Sequence, residues 1–323
     1  QWLTQLRQTI NNSQVNESEI QGKKVEYNMA MMERETFIQQ SVKEKPHLFV
    51  SKIFKMFHEP LTDAYLNKEE GRIAYVNEYF NNLDFNDEEL INTTIYTDKV
   101  IHYIQSYGQY GLSREQQENE FIKAVDIVIG HVNKNQVVYE FILDYIVRGF
   151  ENLNLKKALA HIAEVYGETT CQTDEKTTLE RRLGAQKMLA GTQVLDFTLN
   201  DINGDPITLS EIAKEKTLIV FWASWCPHCN ELIPEIKTWE EQLNSEIVEV
   251  IAVSIDSIKL DWQNQVFKSG IESWYNLSDL KGWDGKVTEQ YNVYATPIML
   301  LIDKNLTILS KPENLFELKT ALE

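Results

Sequence analysis

The stretch Leu218 to Pro234, LIVFWASWCPHCNELIP, decides the reading of this chain. Leu218, Ile219, Val220, Phe221 and Trp222 form a short apolar run bounded by small residues, the pattern of a buried strand. Ala223, Ser224 and Trp225 make a turn, and Asn230 to Leu243 has the spacing of a helix. Cys226 and Cys229 therefore sit where a strand turns into a helix, the setting in which C-x-x-C is a redox motif. Free N–H groups and the helix dipole at such a start favour an anion, and only a thiolate is a nucleophile. The spacing places Cys226 at the exposed end and Cys229 one turn inside, where it can attack a mixed disulfide formed by the first sulfur. Pro227 suits an early helical position, and His228 can place a donor or a positive charge near Cys226. Half of a zinc site is the first competing reading, but no second cysteine pair or paired histidines accompany it. A purely structural disulfide is the second, and so short a loop gains little from it.

WASWCPHC resembles the active site of the thioredoxin-like superfamily. Asp196-Phe197-Thr198-Leu199, Asn203-Gly204 and Leu209 upstream, with Ala295-Thr296-Pro297 downstream, resemble the TlpA/ResA-like redoxins of the bacterial envelope. The resemblance covers about Thr192 to Glu323. It implies a thiol-disulfide oxidoreductase acting on protein cysteines through a redox-active Cys226–Cys229 disulfide, with no other cofactor and no metal. Cys226 and Cys229 would be catalytic, and Trp225, Pro227 and His228 would modulate them. Thr296 and a cis Pro297 would bind substrate, the Thr296 backbone pairing with the partner's strand. The Pro227-His228 dipeptide resembles oxidising Dsb-type enzymes, which implies a stabilised Cys226 thiolate and a more oxidising couple. Many thioredoxins carry a buried acid where this chain has Val220, so the proton on Cys229 needs another acceptor: water, Glu231 or Glu272. The implied partners are cysteine-containing protein substrates and an upstream redox partner. The implied location is the bacterial periplasm or cell envelope, with a signal or anchor before Gln1 left open.

At 323 residues, 43% of them hydrophobic, the chain is long enough for two domains with real cores. Only 13 glycines and 7 prolines leave little room for linkers. No apolar run reaches membrane-spanning length, and no signal peptide is visible at Gln1-Trp2-Leu3. The net charge of −18 divides into −7 up to Gly191 and −11 beyond it, with no arginine in the second part. Neither part offers a basic field to a phosphate backbone, so nucleic-acid binding is excluded.

Residues 1–190 read as an all-α domain of unknown function, a binding, spacing or dimerisation module, and 191–323 as an α/β thioredoxin-like domain with a mixed central sheet of four or five strands and helices on both faces. In the first, Val15 to Lys45 is a helix with Val25, Met29, Met32, Phe37 and Ile38 as its inner face, the methionines filling core. Further helices are expected over 47–58, 68–80, 95–107, 136–152, 155–166 and 175–189. Ser113-Arg114-Glu115-Gln116 has the form of a capping box and opens another. Tyr79 to Thr94, rich in Asn and Asp, reads as irregular. His47, His58, His102, His131 and His161 lack metal-ligand spacing and read as ordinary histidines. Cys171 is either a small buried residue or an intermolecular thiol. Two other functions stay open: a redox-inactive or regulatory binding protein using the helical domain, and a redoxin-type peroxidase, against which the absence of an arginine after Gly191 counts.

Overall fold

The structure is a computed structural model that describes residues 2–10, 16–81, 83–167, 176–242 and 248–322; Cys171 lies outside them. Contacts divide the chain into two compact units, 1–161 and 162–323.

The first unit is helical: α1 (Trp2–Ile10), α2 (Glu17–Glu44), α3 (Phe49–Met56), α4 (Lys68–Glu78), α5 (Ile95–Ser106), α6 (Arg114–Val132), α7 (Gln136–Asn152) and the start of α8 (Lys156–Tyr166). The boundaries follow local chemistry. Ser113 accepts the Gln116 N–H while the Gln116 side chain accepts the Ser113 N–H, so the capping box forms as expected and α6 begins there. Asn135 caps α7, whose Val138, Ile142, Leu143, Ile146 and Val147 are buried and form its core stripe. The Asn- and Asp-rich crossing contains a 3₁₀ turn, Glu88–Asn92, capped by Asp87. Helix α1 was not expected from the sequence.

Helix α2 corrects one expectation. Val25, Met29, Met32 and Phe37 are exposed, and Tyr27, Ala30, Met31 and Ile38 are the buried set. Both sets have helical spacing, so periodicity alone could not choose between them; only Ile38 was assigned correctly. The histidines take ordinary structural roles: His58 pairs with Glu35 at 2.7 Å, His161 with Asp126 at 2.8 Å, and His131 stacks on Phe80.

In the second unit α9 (Thr178–Lys187) precedes the hairpin β1 (Thr198–Asp201) and β2 (Pro206–Thr208), then α10 (Leu209–Ile212). There follow β3 (Thr217–Trp222), α11 (Pro227–Glu240), β4 (Glu249–Ser254), α12 (Lys259–Ser269), β5 (Tyr275–Ser278), α13 (Lys286–Gln290), β6 (Ile298–Ile302), β7 (Ile308–Ser310) and α14 (Leu315–Leu322). Among the described residues the strands form one seven-stranded sheet in the order β2-β1-β5-β4-β3-β6-β7. This exceeds the four or five strands expected. The hairpin joins the sheet edge through an antiparallel pairing of β1 with β5, and β5 is a short strand that the sequence did not reveal.

β3 is an interior strand, parallel to β4 and antiparallel to β6. All six of its residues are buried, because each face of the sheet is covered. Alternation sends Leu218, Val220 and Trp222 into a core with α11, α12 and α14, and Ile219 and Phe221 into a second core with the hairpin and α13. The strand is thereby fixed in register, and its C-terminal end has one place to go: the turn that carries the cysteines.

Ser113→Ala removes a side-chain acceptor from the start of α6. The expected loss is about 1 kcal/mol, read as a lower urea midpoint for the helical unit by far-UV circular dichroism.

Candidate active site

The turn after β3 delivers Cys226 to the position immediately before α11. Cys226 has extended backbone angles, φ −85° and ψ 114°, and its own sulfur accepts the backbone N–H of Cys229 at 3.3 Å. A cysteine thus takes the capping role that Ser, Thr, Asp or Asn usually fills, satisfying one of the free N–H groups of the first turn. Pro227 follows at the first helical position, where its lack of an N–H costs nothing. Helix α11 runs on through Pro234.

Across from this turn lies the Thr296–Pro297 peptide bond, which is cis, as the sequence led us to expect. The Cys226 thiol donates to the Thr296 carbonyl oxygen at 3.4 Å. Cys226, Cys229, Thr296 and Pro297 are therefore brought together from positions about seventy residues apart in the chain. Trp225 is 55% exposed and its ring lies 6.2 Å from that of Trp283. Pro227 and His228 are also exposed.

The sulfurs differ from expectation in one respect. Cys226 keeps only 4% of its surface, although the sequence places it at an exposed end. The turn folds it into the core and against the Thr296 carbonyl, so the exposed area belongs to its neighbours. Cys229 is fully buried, and both cysteines are unpaired thiols. Burial first, and then the hydrogen bond with the Cys226 side chain, push the Cys229 thiol up to about 12. At neutral pH Cys229 is a neutral thiol, so any attack by its sulfur requires a proton acceptor. Val220, on the same core face, offers none. Glu231 and Glu272, the carboxylates considered from the sequence, are both exposed, and neither hydrogen-bonds to either sulfur.

Sequence reasoning missed two groups of residues. Asp256, at the end of β4, is 2% exposed and accepts from the Ser224 N–H at 3.0 Å and the Ser224 hydroxyl at 2.6 Å. An Asp flanked by Ile255 and Ser257 reads as loop polarity, and nothing in the sequence links it to a serine 32 positions earlier. The other group is in α9. Counting from Thr192 finds no arginine, but α9 lies in the same compact unit and carries Arg181 and Arg182. Arg181 donates to the Trp283 carbonyl at 2.6 Å, and Arg182 lies over the Tyr294 ring. The Cys226 sulfur contacts go to Thr296 and Cys229, and none goes to an arginine among the described residues. No group of three His, Cys, Asp and Glu side chains suited to a metal occurs among those residues.

A parallel β3–α11–β4 unit, an antiparallel β6–β7 pair with a closing helix, and a cysteine pair at the start of α11 opposite a cis proline define a thioredoxin-like domain. Residues 190–311 match the model of the AhpC/TSA family. The thiol-disulfide oxidoreductase ResA of Bacillus subtilis is 27% identical over 120 residues, 37% of this chain and 65% of the relative. The thioredoxin-like protein YneN of the same organism is 27% identical over 131 residues, 40% of this chain and 72% of the relative. The match thus spans slightly less than two thirds of the ResA chain. Among solved structures, a thioredoxin-like protein from Bacteroides caccae aligns over 80% of this chain and 94% of its own, at 19% identity and a TM-score of 0.49. A thiol-disulfide oxidoreductase from Bacteroides fragilis aligns over 41% of this chain and all of its own, at 22% identity and a TM-score of 0.38.

Because burial holds the Cys229 thiol neutral, its alkylation in a folded Cys226→Ser variant should rise about tenfold per pH unit from 7 to 10. Timed iodoacetamide labelling read by mass spectrometry checks this. A rate that levels off near pH 8.5 contradicts it.

Proposed function

We propose that the C-terminal unit exchanges thiols and disulfides with cysteine-containing proteins through Cys226 and Cys229. The observation that carries this reading is the placement of the Cys226 sulfur: at the start of α11, accepting the Cys229 N–H, and within 3.4 Å of the carbonyl that precedes cis-Pro297. The names of the ResA relatives support the same chemistry.

In the reducing direction the Cys226 thiolate attacks one sulfur of a partner disulfide. That S–S bond breaks, the leaving sulfur departs as thiolate and takes up a proton, and a mixed disulfide joins Cys226 to the partner. Cys229 then gives up its proton and attacks the Cys226 sulfur. The partner's second thiol leaves, and the Cys226–Cys229 disulfide remains. An upstream redox partner returns the pair to the dithiol. The same steps in reverse oxidise a partner dithiol, and the direction follows from the potentials of the partner and the compartment. His228 and the helix start stabilise the attacking sulfur, Trp225 supplies apolar contact area, and the Thr296 backbone holds an extended segment of the partner. No cofactor beyond the cysteine pair is required. We place the activity in the bacterial periplasm or cell envelope on the strength of the envelope-redoxin resemblance. Among the described residues no helix is long and apolar enough to cross a membrane.

Two variants test the reading. Cys226→Ser should abolish reduction of a disulfide-bonded peptide, while Cys229→Ser should retain the first step and accumulate a mixed disulfide visible on non-reducing gels. Full turnover by either variant would sink the assignment.

A further inference from the structure

The turn that carries Cys226 is held by a buried polar network outside the cysteine pair. Ser224 has every one of its polar groups engaged. Its N–H donates to Asp256 Oδ2 at 3.0 Å, its hydroxyl donates to Asp256 Oδ1 at 2.6 Å, and its carbonyl accepts from Asn230 Nδ2 at 3.1 Å. The Ser254 hydroxyl donates to Asp256 Oδ2 at 2.7 Å and accepts the Asp256 N–H at 3.0 Å. Asn230 is itself held by Gln265 of α12 at 2.9 Å. The turn is thus clamped from β4 on one side and from α11 and α12 on the other.

Asp256 is the centre of this arrangement, and its chemistry is unusual for a residue 2% exposed. Its carboxylate receives only neutral donors, and among the described residues no lysine or arginine pairs with it. Buried carboxylates are costly, and one retained at the end of a central strand with no counter-ion needs a reason. Simple closure of the fold is a poor one, because Ile255 already ties this strand end to β3 through its N–H to the Trp222 carbonyl at 2.9 Å. What Asp256 adds is a fixed place for Ser224, two residues before Cys226.

We infer that Asp256 is a positioning residue of the redox pair: through Ser224 it fixes the turn that presents the Cys226 sulfur to the start of α11 and biases the pair toward the disulfide. This deepens the thiol-exchange reading and rests on it. The bias follows from charge. Ser224 lies within two residues of Cys226, so chain geometry puts the carboxylate on the order of 10 Å from the sulfur. An anion at that range, itself buried beside a sulfur that is also buried, opposes a second anion on Cys226 and disfavours the reduced form. Asp256→Asn keeps an acceptor for the Ser224 N–H and removes the charge.

The test is the equilibrium of the Cys226–Cys229 pair of the full chain against glutathione. Asp256→Asn should move it about tenfold toward the dithiol, or ~30 mV for a two-electron couple. Ser224→Ala loses only the hydroxyl tether and should move it about threefold; it also carries the test if Asp256→Asn does not fold. Asp196→Asn is the control. Asp196, just before β1, clasps the Ser210 N–H and hydroxyl of α10 in the same manner, beside the core that does not hold the cysteines, and its variant should leave the equilibrium unchanged. A reversible couple that neither Asp256→Asn nor Ser224→Ala shifts overturns the inference alone, as does an equal shift in Asp196→Asn. A wild-type pair that forms no disulfide overturns the thiol-exchange reading, and this inference with it.

Discussion

The structure of the C-terminal unit depends on the burial of β3 from both faces. A strand with all six residues inside can neither slip nor turn over, since either change would move apolar side chains out of two cores at once. Its end is therefore a fixed point. The turn at that end, and the helix that begins three residues past Ser224, inherit the precision of the strand. Reactive sulfur chemistry needs such a base, because helix-start N–H groups stabilise a thiolate only when the sulfur sits within their reach.

The two cysteines show how far environment outweighs residue type. They are three positions apart on one turn of helix and share one core, yet they differ in what bonds them and in what flanks them. Cys226 lies at the helix start beside exposed Trp225, Pro227 and His228, and its hydrogen bonds go to backbone groups. Cys229 lies inside the core with Val220 and Trp222, where burial keeps its proton on. On the proposed reading this asymmetry orders the two steps. The outer sulfur is available first, and the inner one acts after a partner has bound and a proton has been taken away.

Much of this was legible in the sequence, and the exceptions share a cause. β3, the C-x-x-C turn and α7 could be read because a continuous apolar run, a cysteine pair and a broad apolar stripe are local signals. α6 was announced by its capping box. β5 was not legible, since Asn276 and Ser278 make it look polar. Both are buried, and the Asn276 amide NH2 and the Ser278 hydroxyl donate to carbonyls of Ile271, Trp274 and Ser254 that only the folded chain supplies. Helix α2 offered two apolar sets of helical spacing, and tertiary packing alone selects the set with Tyr27 and Met31. Asp256 and Arg181 were invisible for the same reason: each acts on a residue far away in the chain, Ser224 in one case and Trp283 in the other.

The burial of Cys226 also constrains how a partner could be recognised. A cysteine with 4% of its surface exposed contributes almost no contact area, so affinity for a partner would come from what surrounds it. Trp225 and Trp283 are both partly exposed and lie ring to ring, and the Trp283 backbone is anchored by Arg181 of α9. Aromatic side chains bury large areas with few rotatable bonds, which makes them suited to binding extended segments of varied sequence. Thr296 adds a backbone whose pairing capacity does not depend on the partner's side chains. On the proposed reading, an apolar wall and a strand-like edge around a shielded sulfur would select for a cysteine in an extended, accessible segment rather than for one sequence. The strongly negative charge of this half of the chain would then act at longer range, favouring neutral or basic segments over acidic ones.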